Sequence, residues 1–160
     1  MKNINVSLGI LAAVMALGFA LVGCHAKNDG GGGNIMIGSK ESFTLHNIQP
    51  GFEGKYAMVE ASFNDETVIL GAKEVNMDTM QVKLPQITDG SVIIPLFALG
   101  EDAGEYDGND TFTVQVLIFN VETVTVTNLG YDPGPSFTPL FNGVTFTDGI
   151  SDPVSWNDRG

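Results

Sequence analysis

The chain has 160 residues, of which 19 are Asp or Glu and seven are Lys or Arg, so its formal net charge at pH 7 is -12. This balance excludes a basic stripe for nucleic acid, because a phosphate backbone would repel the surface. It also disfavours a domain that lies flat on anionic lipid. Cys24 is the single cysteine, so no disulfide can form within the chain.

The first two dozen residues have the pattern of a bacterial export signal. Lys2 supplies a positive start, an apolar run extends from Val6 through Leu21, and the small residue Gly23 precedes Cys24. A charged start, an apolar core and small residues at the cut site indicate a secretory signal peptide. An ordinary cleaved signal peptide and an uncleaved anchor helix are the alternatives to a lipoprotein signal.

The segment Leu21-Val22-Gly23-Cys24 resembles the bacterial lipobox. The resemblance implies that residues 1–23 are removed and that Cys24 becomes a diacylglyceryl-modified, acylated N-terminus. Two or three buried acyl chains hold a protein on a membrane durably, whereas one holds it weakly. The expected location is therefore the cell envelope, and His25 after the cysteine favours the outer membrane.

The residues after Cys24 predict a flexible tether. His25 to Asn34 includes four consecutive glycines, Gly30 to Gly33. Ten residues of such composition span about 17 Å on average. No strand precedes the glycines and no Gly-Lys-Ser/Thr follows, which disfavours a phosphate-binding loop. We assign 24–41 to the lipidated cysteine and tether, and 42–160 to one folded domain.

From Ser42 onward the apolar residues recur with a period of two. In the stretch Thr111–Phe119, for example, Phe112, Val114, Val116 and Ile118 share one face. This pattern predicts an all-β fold, an antiparallel two-sheet sandwich (Ig-like or prealbumin-like) of about eight or nine short strands. A closed barrel is the alternative. The expected strands cover Phe43–Ile48, Lys55–Phe63, Thr67–Ala72, Thr79–Leu84, Ser91–Leu99, Thr111–Phe119, Thr123–Thr127, Val144–Phe146 and Pro153–Trp156.

Several short segments between about residues 42 and 157 resemble a small lipoprotein module of spirochaetes. They are Phe43–Ile48, Glu53–Ala57, Gly90–Leu96, Tyr106–Thr111 and Val144–Phe146. The resemblance implies an envelope location and this type of fold, but no chemistry. The opening Phe43–Gly51 is also similar to the first strand and turn of prealbumin-like sandwiches.

A long acidic connection is the most polar part of the chain. Its candidate ligands for Ca²⁺ are carboxylate and amide oxygens, which hard cations prefer: Asp102, Glu105, Asp107, Asn109 and Asp110. The spacing is not that of an EF-hand, so a solvated surface loop is the alternative. Gly108 to Asp110 also suits a turn in which Gly or Asn adopts positive φ. No other cofactor is expected.

The sequence provides no set of residues for catalysis. His46 is the only histidine beyond the tether, and it falls in an expected strand. There is no Gly-x-Ser-x-Gly elbow, and the chain has too few His and Cys residues for a zinc site. We therefore expect a protein that is not an enzyme, with a hydrolase as the most distant alternative.

Aromatic residues in or beside loops are candidates for ligand recognition. Tyr106, Tyr131 and Phe137 are the chosen positions, because exposed aromatics near loop tips recognise partners. The alternative is that such rings close the ends of the fold. The expected function is a lipid-anchored, non-catalytic binding or structural module with a protein or glycan ligand. A surface-exposed, adhesin-like protein that binds host or matrix ligands through its loops is the alternative.

Overall fold

The computed structural model of the protein describes residues 42–63, 66–76, 78–98, 111–147 and 150–160. These residues form an all-β fold with two short 3₁₀ turns, Pro50–Phe52 and Trp156–Asp158. The strands in chain order are β1 (Ser42–His46), β2 (Tyr56–Phe63), β3 (Glu66–Gly71), β4 (Glu74–Asn76), β5 (Gln81–Lys83), β6 (Val92–Ala98), β7 (Phe112–Phe119), β8 (Thr123–Thr127), β9 (Gly130–Asp132), β10 (Leu140–Val144), β11 (Phe146–Thr147), β12 (Ile150–Ser151) and β13 (Val154–Ser155).

The larger sheet runs in the order β10-β7-β2-β3-β6-β1-β12-β11, and β13 also pairs with β1. It curls until its two sides meet, as the twist between neighbouring strands allows. At the seam, Phe141 forms a β-bridge with Arg159, and the Gly160 N–H donates to the Leu140 carbonyl at 2.8 Å. The large sheet is therefore nearly closed and barrel-like.

The interior of this curled sheet holds the main hydrophobic core. Alternate residues of each strand point inward, as the pleat requires. The buried members of the core are Phe43, Leu45, Ile48, Ala57, Val59, Ala61, Ile69, Ile87, Val92, Ile94, Leu96, Phe112, Val114, Val116, Ile118, Phe141, Val144 and Trp156. Trp156 and Phe43 are the largest fully buried side chains, so the aromatic rings supply much of the filling.

A second, smaller sheet has the order β4-β5-β8-β9 and covers the outer face of β2 and β7. We call it the small sheet. A second apolar cluster lies between the two sheets, formed by Met58, Ala72, Val82, Leu84, Leu117, Phe119 and Val124. Since β7 is covered on both faces, four consecutive apolar residues, Val116 to Phe119, are all buried.

Two sheets and an all-β fold agree with the sequence-based expectation. The expected fully antiparallel sandwich differs from the structure, because β1 pairs in parallel with β12 and β13 while it is antiparallel to β6. The large sheet also closes on itself instead of staying one open layer. The structure does not show an Ig-like arrangement.

Several expected boundaries were wrong for local reasons. Met80 lies in a turn with φ 54°, so β5 begins only at Gln81. No expected strand covers Gly130–Pro139, but this segment opens with β9, which forms a hairpin with β8. β10 begins at Leu140, before the expected strand, and bulges at Gly143, whose φ is 71°.

The N-terminal predictions fall outside the part of the chain that the structure describes. This holds for the signal peptide (1–23), Cys24 and the tether. Among the described residues, no helix has the length and apolar character needed to cross a bilayer.

Candidate functional site

Three aromatic rings meet at one end of the large sheet and form the aromatic platform, defined as Phe52, Phe137 and Trp156. The ring centroids lie 4.9 Å apart for Phe52 and Trp156, and 5.1 Å apart for Phe52 and Phe137. Phe137 and Trp156 are separated by 5.9 Å. Phe137 is 41% exposed, whereas Trp156 is only 1% exposed, so the platform is rooted in the core and open on one side.

A cation that follows each 3₁₀ turn lies over a platform ring. Lys55 Nζ lies 5.3 Å from the centroid of the Phe52 ring, and Arg159 Cζ lies 5.2 Å from that of Trp156. In both pairs the cation follows the ring by three residues; the Lys55 N–H donates to the Phe52 carbonyl at 3.1 Å, and Arg159 directly follows the turn Trp156–Asp158. A cation over an aromatic face gains about 0.5–1 kcal/mol at an exposed site.

Among the described residues, neither of these two cations forms an ion pair with a carboxylate. The Glu53 carboxylate accepts hydrogen bonds from the backbone N–H groups of Asp89 and Gly90, at 2.9 and 3.1 Å. Asp158 instead closes a capping box, because its Oδ2 accepts from the Ser155 N–H at 3.3 Å. Among the described residues the ion pair is elsewhere, between Lys83 and Glu122 at 3.4 Å.

The exposed ring of the platform is held by a well-fixed loop. Ile118 N–H donates to the Phe137 carbonyl at 2.8 Å, and the Ser136 N–H and hydroxyl both donate to the Ile118 carbonyl, at 2.6 and 2.9 Å. Val116 N–H donates to the Pro139 carbonyl at 3.0 Å. Because these hydrogen bonds hold the loop backbone without a ligand, we expect binding at Phe137 to lose little conformational entropy.

Trp156 joins the platform to the core and has an unpaired polar atom. Its ring lies 6.5 Å from that of Phe141, and Arg159 Nη1 donates to the Trp156 carbonyl at 3.0 Å. Its indole Nε1 is buried without an acceptor among the described residues. A buried N–H without a partner costs about 1–3 kcal/mol.

A second polar feature lies between the two sheets. Glu60, which is 3% exposed, points from β2 toward the small sheet, where the Tyr131 hydroxyl of β9 donates to its Oε1 at 2.8 Å. Burial raises the pKa of Glu60 from 4.5 to about 7, and the hydrogen bond from Tyr131 lowers it in part. Burial, then the charge and hydrogen bond of Glu60, raise the pKa of Tyr131.

The two predicted binding residues that the structure describes lie in different environments. Phe137 lies on the aromatic platform, while Tyr131 lies half-buried between the sheets, with its ring 6.0 Å from that of Phe119. Tyr106 falls outside the described residues. The proposed calcium ligands, Asp102, Glu105, Asp107, Asn109 and Asp110, do so as well. Among the residues that are described, no three His, Cys, Asp or Glu side chains cluster as metal ligands.

His46 lies at the end of β1, in register with Ser155 of β13. The Ser155 hydroxyl accepts hydrogen bonds from Asn47 Nδ2 at 3.2 Å and from the Asn157 N–H at 3.3 Å. It thus serves as a helix cap, and no hydrogen bond joins it to the imidazole among the described contacts. This arrangement lacks the nucleophile–base pair of a hydrolase.

An open groove of about 180 Å³ lies beside the seam, between β10 and the C-terminal segment. Its polar lining includes Asn142, Asp152 and Asp158, and its floor includes Phe141 and Val144. Asn142 accepts a hydrogen bond from the Thr113 hydroxyl at 3.3 Å. The groove is shallow and acidic, which suits it less well than the platform for recognising an anion.

The sequence analysis missed the cations of the platform. The repeated spacing of an aromatic residue and a cation three positions later, Phe52 with Lys55 and Trp156 with Arg159, is the signal that could have found them. Without the fold, nothing indicates that the two pairs, about a hundred residues apart, meet at one place.

Comparison with known proteins gave no match to this chain among family models, curated proteins or solved structures. The role of the platform is therefore argued from its own geometry and charge.

Proposed function

We propose that this protein is a lipid-anchored protein of the bacterial cell envelope, of the outer membrane in particular. It acts there as a non-catalytic binding module. The lipobox-like Leu21–Cys24 and the glycine-rich tether support the anchor. The observation that supports binding is the aromatic platform: an exposed ring on a hydrogen-bonded loop, beside two cations that no carboxylate of the described residues pairs.

The chemistry of the platform favours a ligand with a flat apolar face and a negative group. Phe137 and Phe52 offer ring surface, and Lys55 and Arg159 offer positive charge beside it. A long polyanion is disfavoured, because the chain as a whole carries a net charge of -12. An acidic sugar at a glycan end, or a protein segment with an aromatic and an acidic side chain, meets both requirements.

The anchor is tested by comparing the wild type with Cys24→Ser in a bacterium that processes lipoproteins. The wild type should partition into detergent, and mass spectrometry should find an acylated N-terminus at residue 24. Globomycin should cause the precursor to accumulate. The variant should carry no acyl group at residue 24 by mass spectrometry. A wild-type product with an unmodified Cys24, or with the leader still attached, would refute the anchor.

Binding is tested on the purified full chain with an array of neutral glycans, acidic glycans and matrix proteins. Phe137→Ser and the double variant Lys55→Gln/Arg159→Gln should lose the wild-type signal. Leu129→Ser and Lys73→Gln are matched controls, since both residues are exposed and lie away from the platform. Platform variants that keep the wild-type pattern, or a wild type that binds nothing, would contradict the proposal.

The single tryptophan of the chain, Trp156, gives a direct readout of the same site. A ligand that covers the platform should change its fluorescence, because the neighbouring ring and the guanidinium over the indole would shift. A ligand that binds without a change in fluorescence would lie elsewhere.

An adhesin-like role on the cell surface, through the loops around residues 100–110 and 130–139, is the second candidate. It differs from the first in which side of the membrane the domain faces. Protease added to intact cells would remove a surface-exposed domain and would spare one that faces the periplasm.

The assignment of the all-β fold to a prealbumin-like sandwich is also part of the proposal. The face-to-face packing of the small sheet on β2 and β7 is the feature that supports a prealbumin-like sandwich. The parallel pairing of β1 with β12 and β13 argues for a separate topology. An experimental structure with β1 antiparallel to both neighbours would favour the prealbumin-like arrangement.

A further inference from the structure

The contact between the two sheets contains an ionisable pair in an otherwise apolar layer. Around Glu60 and Tyr131, the small sheet presents Val82, Val124 and Val126 to the large sheet. The two partners come from strands 71 positions apart in the chain, so their hydrogen bond exists only while the sheets are packed together.

Among the described residues, no cation is placed to balance a negative charge on Glu60. In the large sheet its register partners are Leu70 on β3 and Gln115 on β7, both uncharged. In the small sheet Tyr131 is the titratable side chain that reaches it. The charged residues of β5 and β9 are Lys83 and Asp132. Each is next in its strand to a residue that faces the large sheet, so it lies on the opposite face, and Lys83 pairs with Glu122.

We infer that the small sheet is a proton-controlled cover: it packs closely on β2 and β7 while Glu60 is protonated, and it loosens when Glu60 loses its proton. The physical reason is that a protonated carboxyl is tolerated in an apolar layer, whereas a carboxylate without a cation is not. Moving the small sheet away lets water reach the carboxylate, so ionisation favours the open arrangement.

The geometry also indicates that opening of the small sheet would release β9. β9 continues directly into the loop that carries Phe137, and Tyr131 is the residue of β9 that contacts both Glu60 and Phe119. The cover is independent of any ligand on the platform, so it can be tested whether or not the proposed function is correct.

The test is hydrogen exchange followed by mass spectrometry on the full chain at pH 5 and pH 8, with rates corrected for the intrinsic effect of pH. In the wild type, the protection of β5 and β8 amides should fall about 10- to 100-fold at pH 8. Amides of β1 and β6, which the small sheet does not cover, serve as the internal control. In Glu60→Gln the protection of β5 and β8 should be the same at both pH values.

Tyr131→Phe provides a readout that a merely structural role would not give. Because the tyrosine hydrogen bond is stronger to the ionised carboxylate, its loss should weaken the closed arrangement more at pH 8 than at pH 5, so the fall in β5 and β8 protection between the two pH values should become larger. Equal protection of β5 and β8 at both pH values in the wild type would overturn the proposal, and so would an unchanged pH dependence in Glu60→Gln.

A ¹³C-NMR titration of the Glu60 carboxyl in the wild type needs no substitution and covers the case in which the variants do not fold. A carboxyl that titrates near neutral pH supports the cover. One that titrates in the ordinary range of a surface glutamate overturns it.

Discussion

The two halves of the large sheet are built from similar strands but have different outer faces. Under the small sheet, the outward residues of β2 and β7 are apolar and buried, as Met58, Leu117 and Phe119 show. On β6 and β12 the outward residues face solvent, and Ile93 is 62% exposed. Within one sheet, then, the same pleat supports two-sided burial in one half and one-sided burial in the other.

This comparison indicates that the layer between the two sheets should be the part of the fold most sensitive to substitution. Residues between the sheets lose contacts on both sides when they are truncated, so their substitutions should be costly. Among the residues whose side-chain burial is described, Glu60 in this layer has the one buried carboxyl. The open half of the sheet should tolerate changes of its outward side chains.

The largest effect is expected from Phe119→Ala. Phe119 is fully buried between the sheets, and removing its ring would leave a cavity beside Tyr131. We expect the free energy of unfolding to fall by about 3–5 kcal/mol. Chemical denaturation measures this, and a loss of less than about 1 kcal/mol would mean that the small sheet does not pack on β7 as described.

A pH effect of about 3 kcal/mol should come from Glu60. Its pKa is about 7 in the folded protein against 4.5 for the ordinary group, so the folded state binds more protons between these values. Stability should therefore fall as pH rises from about 5 to 7 and then level off. Glu60→Gln should lack this component, which the difference between the two denaturation series isolates. If the free energies of unfolding of the wild type and Glu60→Gln changed with pH in the same way, burial in the fold would not affect the ionisation of Glu60.

A smaller effect is expected from Tyr131→Phe, which removes one hydroxyl. The variant should lose about 1 kcal/mol at pH 5, and about 1.5–3 kcal/mol at pH 8, because hydrogen bonds to charged groups are stronger. Tyr56→Phe is the matched control: Tyr56 packs against the same apolar cluster, and no hydrogen bond of its hydroxyl is described. Equal losses in both variants would contradict a specific role for Tyr131.

The smallest effect should come from Ile93→Ala on the open half. Since the side chain is mostly exposed, the free energy of unfolding should change by no more than about 0.5 kcal/mol. Leu117→Ala, its counterpart on the covered half, should cost about 2–5 kcal/mol. A large loss for Ile93→Ala would reveal a partner covering this face in solution.

Much of the strand content follows from the sequence because alternation is a local property. In β7, inward residues Phe112, Val114 and Val116 are spaced by two, so the strand and its core face could be predicted. The apolar run Val116 to Phe119 also carried information on the second layer: a strand that is apolar at every position is covered on both faces. The period of two alone assigns Val116 and Ile118 to one face and does not account for Leu117 and Phe119.

The rest depended on contacts that a local pattern does not encode. Glu60 stands in an alternating strand and gives no sign that its partner is a tyrosine of β9. The closure of the large sheet depends on the bridge between Phe141 and Arg159. For the same reason the platform could be predicted only in part, with Phe137 selected and its two cations missed.

The position of β1 has a mechanical consequence. It is hydrogen-bonded to β6 on one side and to β12 and β13 on the other. If the chain hangs from a membrane by the residues before Ser42, a pulling force enters along the axis of β1. Both ladders would then be loaded in shear, so that many hydrogen bonds must rupture together instead of unzipping singly. A domain suspended in this way should resist extraction better than one suspended from an edge strand.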